Sequence, residues 1–169
     1  MANLTKQIIK GSDLQVFLAQ PVDGGNATFK TIGFATNCQL QLSSDSSDVS
    51  TKDFGSGWNS SVITKRSFSI SCENLYATGT ASNNSLTFDD LFSAYVNGTE
   101  LTVKVGCTVN AGADERHPDI PTAGWTVNAT MPSYTGKVIV SSLSISGNSS
   151  DNASCSVEFT GVGALSKVA

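Results

Sequence analysis

Apolar residues fall at every second position through most of this chain, the spacing of strands with one buried face. In Asn37–Leu42 the apolar positions are Cys38, Leu40 and Leu42, and in Val62–Cys72 the side chains of Phe68, Ile70 and Cys72 share one face. This rhythm predicts strands over Asp13–Ala19, Ser61–Cys72, Leu101–Asn110, Gly124–Thr130, Lys137–Ile145 and Ala153–Thr160. Thr28–Ala35 and Asn37–Ser43 form either one strand broken near Thr36 or two short ones, and Gln20–Asn26, with Pro21 and Gly24-Gly25, reads as a turn. One segment departs from the period of two: Phe88, Leu91, Phe92 and Tyr95 recur at helical spacing. Thr87 precedes them as an N-cap, Asp89 and Asp90 suit the positive end, and Asn97-Gly98 supplies a stop. A helix of about three turns is therefore expected, with its aromatic side against a sheet. The order βββ–α–ββββ predicts a mainly β fold, a sandwich or barrel of two packed antiparallel sheets with one flanking helix, in a single domain spanning 1–169.

Between two of these strand patterns lies Ser43–Ser61, SSDSSDVSTKDFGSGWNSS. Hairpin loops usually need only two to five residues, so a connection this long inside a compact domain is either functional or unstructured. It carries Phe54 and Trp58, which a solvated linker does not require. Asp45, Asp48 and Asp53, with Lys52 among them, lack the Asp-x-Asp-x-Asp-Gly spacing of a calcium loop and read as a solvated or subunit-bridging face. Gly55 and Gly57 lack the strand-before, helix-after context of a phosphate loop. Trp58 packs either on its own sheet or on a neighbour, and aromatic anchors of this kind are enriched in interfaces.

Composition narrows the function classes. Charged residues make up 14% of 169, with 10 basic against 14 acidic side chains, a net charge of −4. Such a chain exerts no overall pull on a polyanion, and its densest basic pair, Lys65-Arg66, lies on a strand. Met1–Lys10 has no apolar core of a secretory signal, and no apolar run reaches the roughly 20 residues of a membrane helix, so a soluble protein made in a cytoplasm is expected. The only histidine, His117, sits with Asp114, Glu115 and Arg116 in a Pro-bounded run between strands. That run reads as a charged surface loop, since catalysis also needs a positioned nucleophile and a pocket. No catalytic residue, metal site or cofactor is expected. Cys38, Cys72, Cys107 and Cys155 show no Cys-x-x-Cys spacing, and each shares the apolar parity of a predicted strand. Core thiols are one reading and two disulfides the other.

The layout resembles the tail tube proteins, or major tail proteins, of long-tailed bacteriophages. The resemblance rests on Phe34–Leu40 leading into the Ser/Asp-rich stretch and on Ser50-Thr51-Lys52-Asp53-Phe54-Gly55-Ser56-Gly57-Trp58 before the long strand Thr64–Ser71. A single helix, Phe88–Val96, then precedes Leu101–Val105, and the chain closes on Gly136–Ile145 and Ala153–Gly163. This covers about residues 11 to 165, and the Thr-Lys-Asp-x-Gly-x-x-Trp run is its specific part. It implies a non-enzymatic virion protein that assembles in the host cytoplasm into stacked hexameric rings, a tube through which DNA passes without specific binding. Implied partners are further copies of itself, the tape measure protein, the tail terminator and the tail-tip proteins. Ser43–Ser61 matches the position of the arm that reaches another subunit, which makes Asp45, Asp48, Lys52, Asp53, Phe54, Gly55 and Trp58 the candidate interface residues. A carbohydrate-binding or adhesin-type β-sandwich, using Trp58 and Trp125, is the alternative.

Overall fold

The structure, a computed structural model, describes residues 9–19, 28–51, 58–77, 85–108 and 124–168. A short 3-10 turn, Gly11–Asp13, leads into β1 (Leu14–Ala19). Then come β2 (Lys30–Thr31), β3 (Ala35–Asp48), β4 (Ser61–Leu75), the helix α1 (Phe88–Asn97), β5 (Leu101–Cys107), β6 (Ser133–Ser146) and β7 (Ser154–Val168). All strand pairings are antiparallel, and they join into one seven-stranded sheet in the order β2-β1-β5-β6-β7-β4-β3. The mainly β class with one helix is as the sequence predicts, but hydrogen bonding gives a single sheet where two were expected.

That sheet is strongly curled, and chain length dictates it. Laid flat, β2 and β3 would stand about 29 Å apart, six steps of about 4.8 Å. They are consecutive in sequence, however, and the steps from Thr31 to Ala35 reach at most about 14 Å. The two ends of the strand order must therefore approach each other. Leu14 and Gln15 of β1 accordingly line the same cavity, of about 710 Å³, as Cys38 of β3 and Asn74 of β4. A few backbone bonds close the seam: Leu86 N–H donates to Thr31 O (2.8 Å), Gly33 N–H to Leu86 O (2.9 Å), and Leu75 N–H to Phe34 O (3.1 Å). Phe34 turns the chain there with φ of 55°, the left-handed value a non-glycine residue adopts at a cost.

The inner face holds one apolar cluster. Val16 and Leu18 of β1, Val103 of β5, Val138 of β6, Val157 and Phe159 of β7 and Phe68 and Ile70 of β4 are all buried in it. Each large side chain taken from water there contributes about 1.5–3 kcal/mol. From α1, Leu91 and Ala94 join the cluster. The helix begins where the sequence predicts, with Thr87 N–H and Oγ1–H both donating to the Asp90 carboxylate at 3.0 Å. It ends at Gly98, whose φ of 60° accommodates the left-handed cap. Its aromatic side is not the packed one: Phe92 and Tyr95 stay about half exposed, while Phe88 stacks edge-on against Tyr76 with centroids 5.7 Å apart.

Two predicted strands shrink. Thr28–Ala35 keeps only Lys30–Thr31, because Ile32 bridges Leu86 and Phe34 reverses the chain. Gly124–Thr130 keeps a single bridge, Val127 to Thr108. Beyond it Asn128 Oδ1 accepts from Thr130 N–H at 2.9 Å, a side-chain turn that ends extended pairing.

Candidate functional site

Within the sheet, β4 is flanked by β3 on one side and by β7 on the other, the latter over Ser69–Leu75. Past Ser69 it parts from β7, while its pairing with β3 runs on to Asp48↔Ser61. The result is a two-stranded ribbon, Ser43–Asp48 against Ser61–Ser67, in which every residue is exposed. The sequence predicts a polar connection from Ser43 to Ser61; β4 begins at Ser61 as expected, but β3 continues into the connection as far as Asp48, and the connection proper is Val49–Ser60. Alternating Ser, Thr and Asp keep the extended backbone soluble and tie it across. Ser43 and Ser67 hydroxyls lie 2.8 Å apart, Thr64 Oγ1 donates to Asp45 O (3.2 Å), and Val49 N–H donates to Ser60 O (2.8 Å). Asp45 stands opposite Lys65, and an irregularity between Asp45 and Ser46 leaves Thr64 unpaired and sharpens the local twist.

The root of this ribbon is set by Phe68. Its ring is buried and lies across the small residues of the neighbouring strands. A Cβ at Gly136 would come within 2.9 Å of the ring Cζ, and one at Gly161 would overlap the ring itself. Glycine at both positions lets an aromatic side chain from β4 span β7 to β6 where the arm departs.

At the far end Asp48 Oδ1 accepts from Ser50 N–H at 2.8 Å, and Ser50 Oγ accepts from Ser60 N–H at 3.0 Å. Hydrogen bonds from the Ser50 hydroxyl, and then from its N–H, hold the Asp48 carboxyl below the usual carboxylate range. Trp58 follows, 83% exposed, so it does not pack on its own sheet. Asp45 and Asp48 thus sit on strand β3 and Trp58 at the start of the return. Lys52, Asp53, Phe54 and Gly55 lie outside the described residues.

Alternation put Leu42 in step with Cys38 and Leu40 and did not single out Val62 and Ile63; all three add exposed apolar surface at the ribbon. Nor did it single out a second apolar patch, where Phe92 and Tyr95 of α1 stand beside Ile145 of β6. The Asp114–Pro118 run lies outside the described residues, and among the described residues no cluster of three metal-ligating side chains occurs. The four cysteines are free thiols; Cys72, Cys107 and Cys155 are buried and Cys38 is half-buried. A two-stranded ribbon alone is marginal in water, and its exposed open edges are free to pair.

Comparison with curated proteins by sequence returns no match. Among solved structures, the chain is similar to the tail of an empty gene transfer agent particle, refined with C6 symmetry. That match has 20% identity and a TM-score of 0.67, covering 95% of this chain and 98% of that one. It is also similar to the SPP1 tail tube, at 12% identity and a TM-score of 0.64, covering 95% and 79%. A third likeness is to a chain of the anti-feeding prophage baseplate, at 8% identity and a TM-score of 0.57, covering 92% and 91%. At these identities the likeness is one of fold. The family model described as phage tail tube protein matches residues 9–167, nearly the whole length, and the chain belongs to that family.

Proposed function

We propose that this chain self-assembles into stacked hexameric rings whose lumen conducts DNA, and that the hairpin Ser43–Ser61 is the clasp between copies. The observation that carries this reading is the ribbon of Ser43–Asp48 and Ser61–Ser67, exposed throughout and ending near an 83% exposed Trp58. Membership of the tail tube family supports it, and so does the C6 symmetry of the similar gene transfer agent tail. A net charge of −4 suits a passage that must not hold phosphate. On this reading the protein is a non-enzymatic part of the virion tail, assembled in the host cytoplasm. It meets the tape measure protein inside the tube and the terminator and tip proteins at its ends. The proposed contact residues are Asp45, Asp48, Lys52, Asp53, Phe54, Gly55 and Trp58.

Negative-stain microscopy of the purified chain tests the assembly, with rings or tubes as the expected result. A chain that stays monomeric at high concentration would overturn it. Deletion of Ser46–Gly57 tests the arm: a folded domain that no longer polymerises is expected, and unchanged tubes would remove the arm from the mechanism.

A further inference from the structure

We propose that Cys38 and Cys72 form a reversible disulfide site, closed by a two-electron oxidant of the peroxide class that reaches Cys38 through the cavity it lines. This goes beyond the assembly reading and does not depend on it. The argument begins with register. Cys38 of β3 and Cys72 of β4 are directly opposed in the antiparallel ladder, so their side chains lie on the same face. Opposed residues in such a ladder have Cα atoms about 4.5–5.5 Å apart, inside the window of about 4.4–6.8 Å that a disulfide spans. The two thiols lie close enough for a side-chain hydrogen bond between them.

The pair is asymmetric in the way a thiol redox site requires. Cys72 is 1% exposed, whereas Cys38 is half-buried and borders the cavity of about 710 Å³ at the barrel seam. The hydrogen bond with Cys72 draws the Cys38 thiol below its usual range and outweighs the opposing effect of burial. The same bond, followed by burial, pushes the Cys72 thiol up. Cys38 is thus the accessible nucleophile and Cys72 the resolving thiol. The nearest competitor is Cys155, which lines the same cavity but lies opposite Asn74, one inward position along from Cys72, and shares a hydrogen bond with that asparagine. Cys107 is on β5, opposite Leu14 of β1.

The step balances. The Cys38 thiolate attacks one peroxide oxygen; an S–O bond forms, the O–O bond breaks, and the first water leaves after protonation. The Cys72 sulfur then attacks the sulfenic Cys38, the S–S bond forms, and the hydroxyl departs as the second water. Two thiols lose two electrons, and the peroxide is reduced to two waters. The new bond closes a loop that contains the whole arm and fastens its two strands together inside the core.

Hydrogen peroxide added to the purified full-length chain, followed by alkylation and unreduced peptide mapping, tests this. The expected result is a Cys38–Cys72 linked peptide pair that dithiothreitol reverses, with Cys107 and Cys155 still alkylated. Cys155→Ser should retain the link and Cys38→Ser abolish it. The oxidised chain should melt higher by up to about 10 °C. Four alkylatable thiols after peroxide, a Cys38–Cys155 link, or Cys38 carried to the sulfinic acid without a link would each overturn the proposal.

Discussion

Strand β4 places one continuous backbone in two environments. From Phe68 to Leu75 it buries every second residue, with Phe68, Ile70, Cys72 and Asn74 facing inward. From Ser61 to Ser67 no residue is buried, although the strand continues and stays paired with β3 on both sides of the irregularity at Thr64. Inside Phe68 apolar residues alternate with polar ones, whereas outside it only the adjacent Val62 and Ile63 are apolar and Thr64–Ser67 is polar throughout; the cover changes with the pattern. The inner half faces β6, β7 and α1 across a closed core, while the outer half has left β7 behind and keeps only β3. Burial thus belongs to one half and exposure to the other, and Phe68 on its glycines marks the border.

Substitutions on the two sides should separate these roles. On the inner side, Phe159→Ala empties a fully buried site, and a loss of about 3–5 kcal/mol is expected in denaturant unfolding. A loss under about 1 kcal/mol would show that the curled sheet's interior is not what holds the fold. At the border, Gly161→Ala drives a methyl into the Phe68 ring, and about 1–3 kcal/mol of destabilisation is expected. Adding Phe68→Leu should recover part of that loss, and strictly additive effects would show that ring and glycine do not meet. On the outer side, Trp58→Ala should change unfolding by less than about 0.5 kcal/mol. The same variant should raise the concentration needed for tube formation at least about tenfold, or about 1.4 kcal/mol. An assembly threshold that does not move would take Trp58 out of the contact.

The smallest effect is electrostatic. The Asp48 carboxyl is held low in the folded arm, so the turn it orders is intact above the ordinary aspartate value of about 3.9. That order is lost as pH falls through the lower folded-state value. An NMR titration should place the Asp48 midpoint below that of an unstructured aspartate, and Ser50→Ala should bring it back up. A midpoint unmoved by Ser50→Ala would assign the shift elsewhere.

How much of this was legible in the sequence follows from which forces are local. The helix was, because Thr87, Asp90 and Gly98 cap it through neighbours a few residues away. Strand faces were too: Phe68, Ile70 and Cys72 point inward as their parity requires. Parity does not say whether anything covers the face, however, and so Leu42, in step with Cys38 and Leu40, proved 66% exposed. Strand order is also non-local. Nothing near β2 or β3 announces that they lie at opposite ends of one sheet, and so two sheets were expected where a single curled one exists. The arm stood out by its length and aromatics, but its ribbon form depends on cross-strand hydroxyl contacts such as Ser43 with Ser67.

The continuity of β4 also has a mechanical side. A pull on the arm along its own axis reaches the barrel as sliding of β4 against β7, from Ser69↔Thr160 to Leu75↔Ser154. Strands dragged lengthwise past one another must break all their rungs together, whereas strands peeled from one end lose them one at a time. The arm therefore enters the core in an orientation in which a lengthwise load is shared by every rung of that ladder at once.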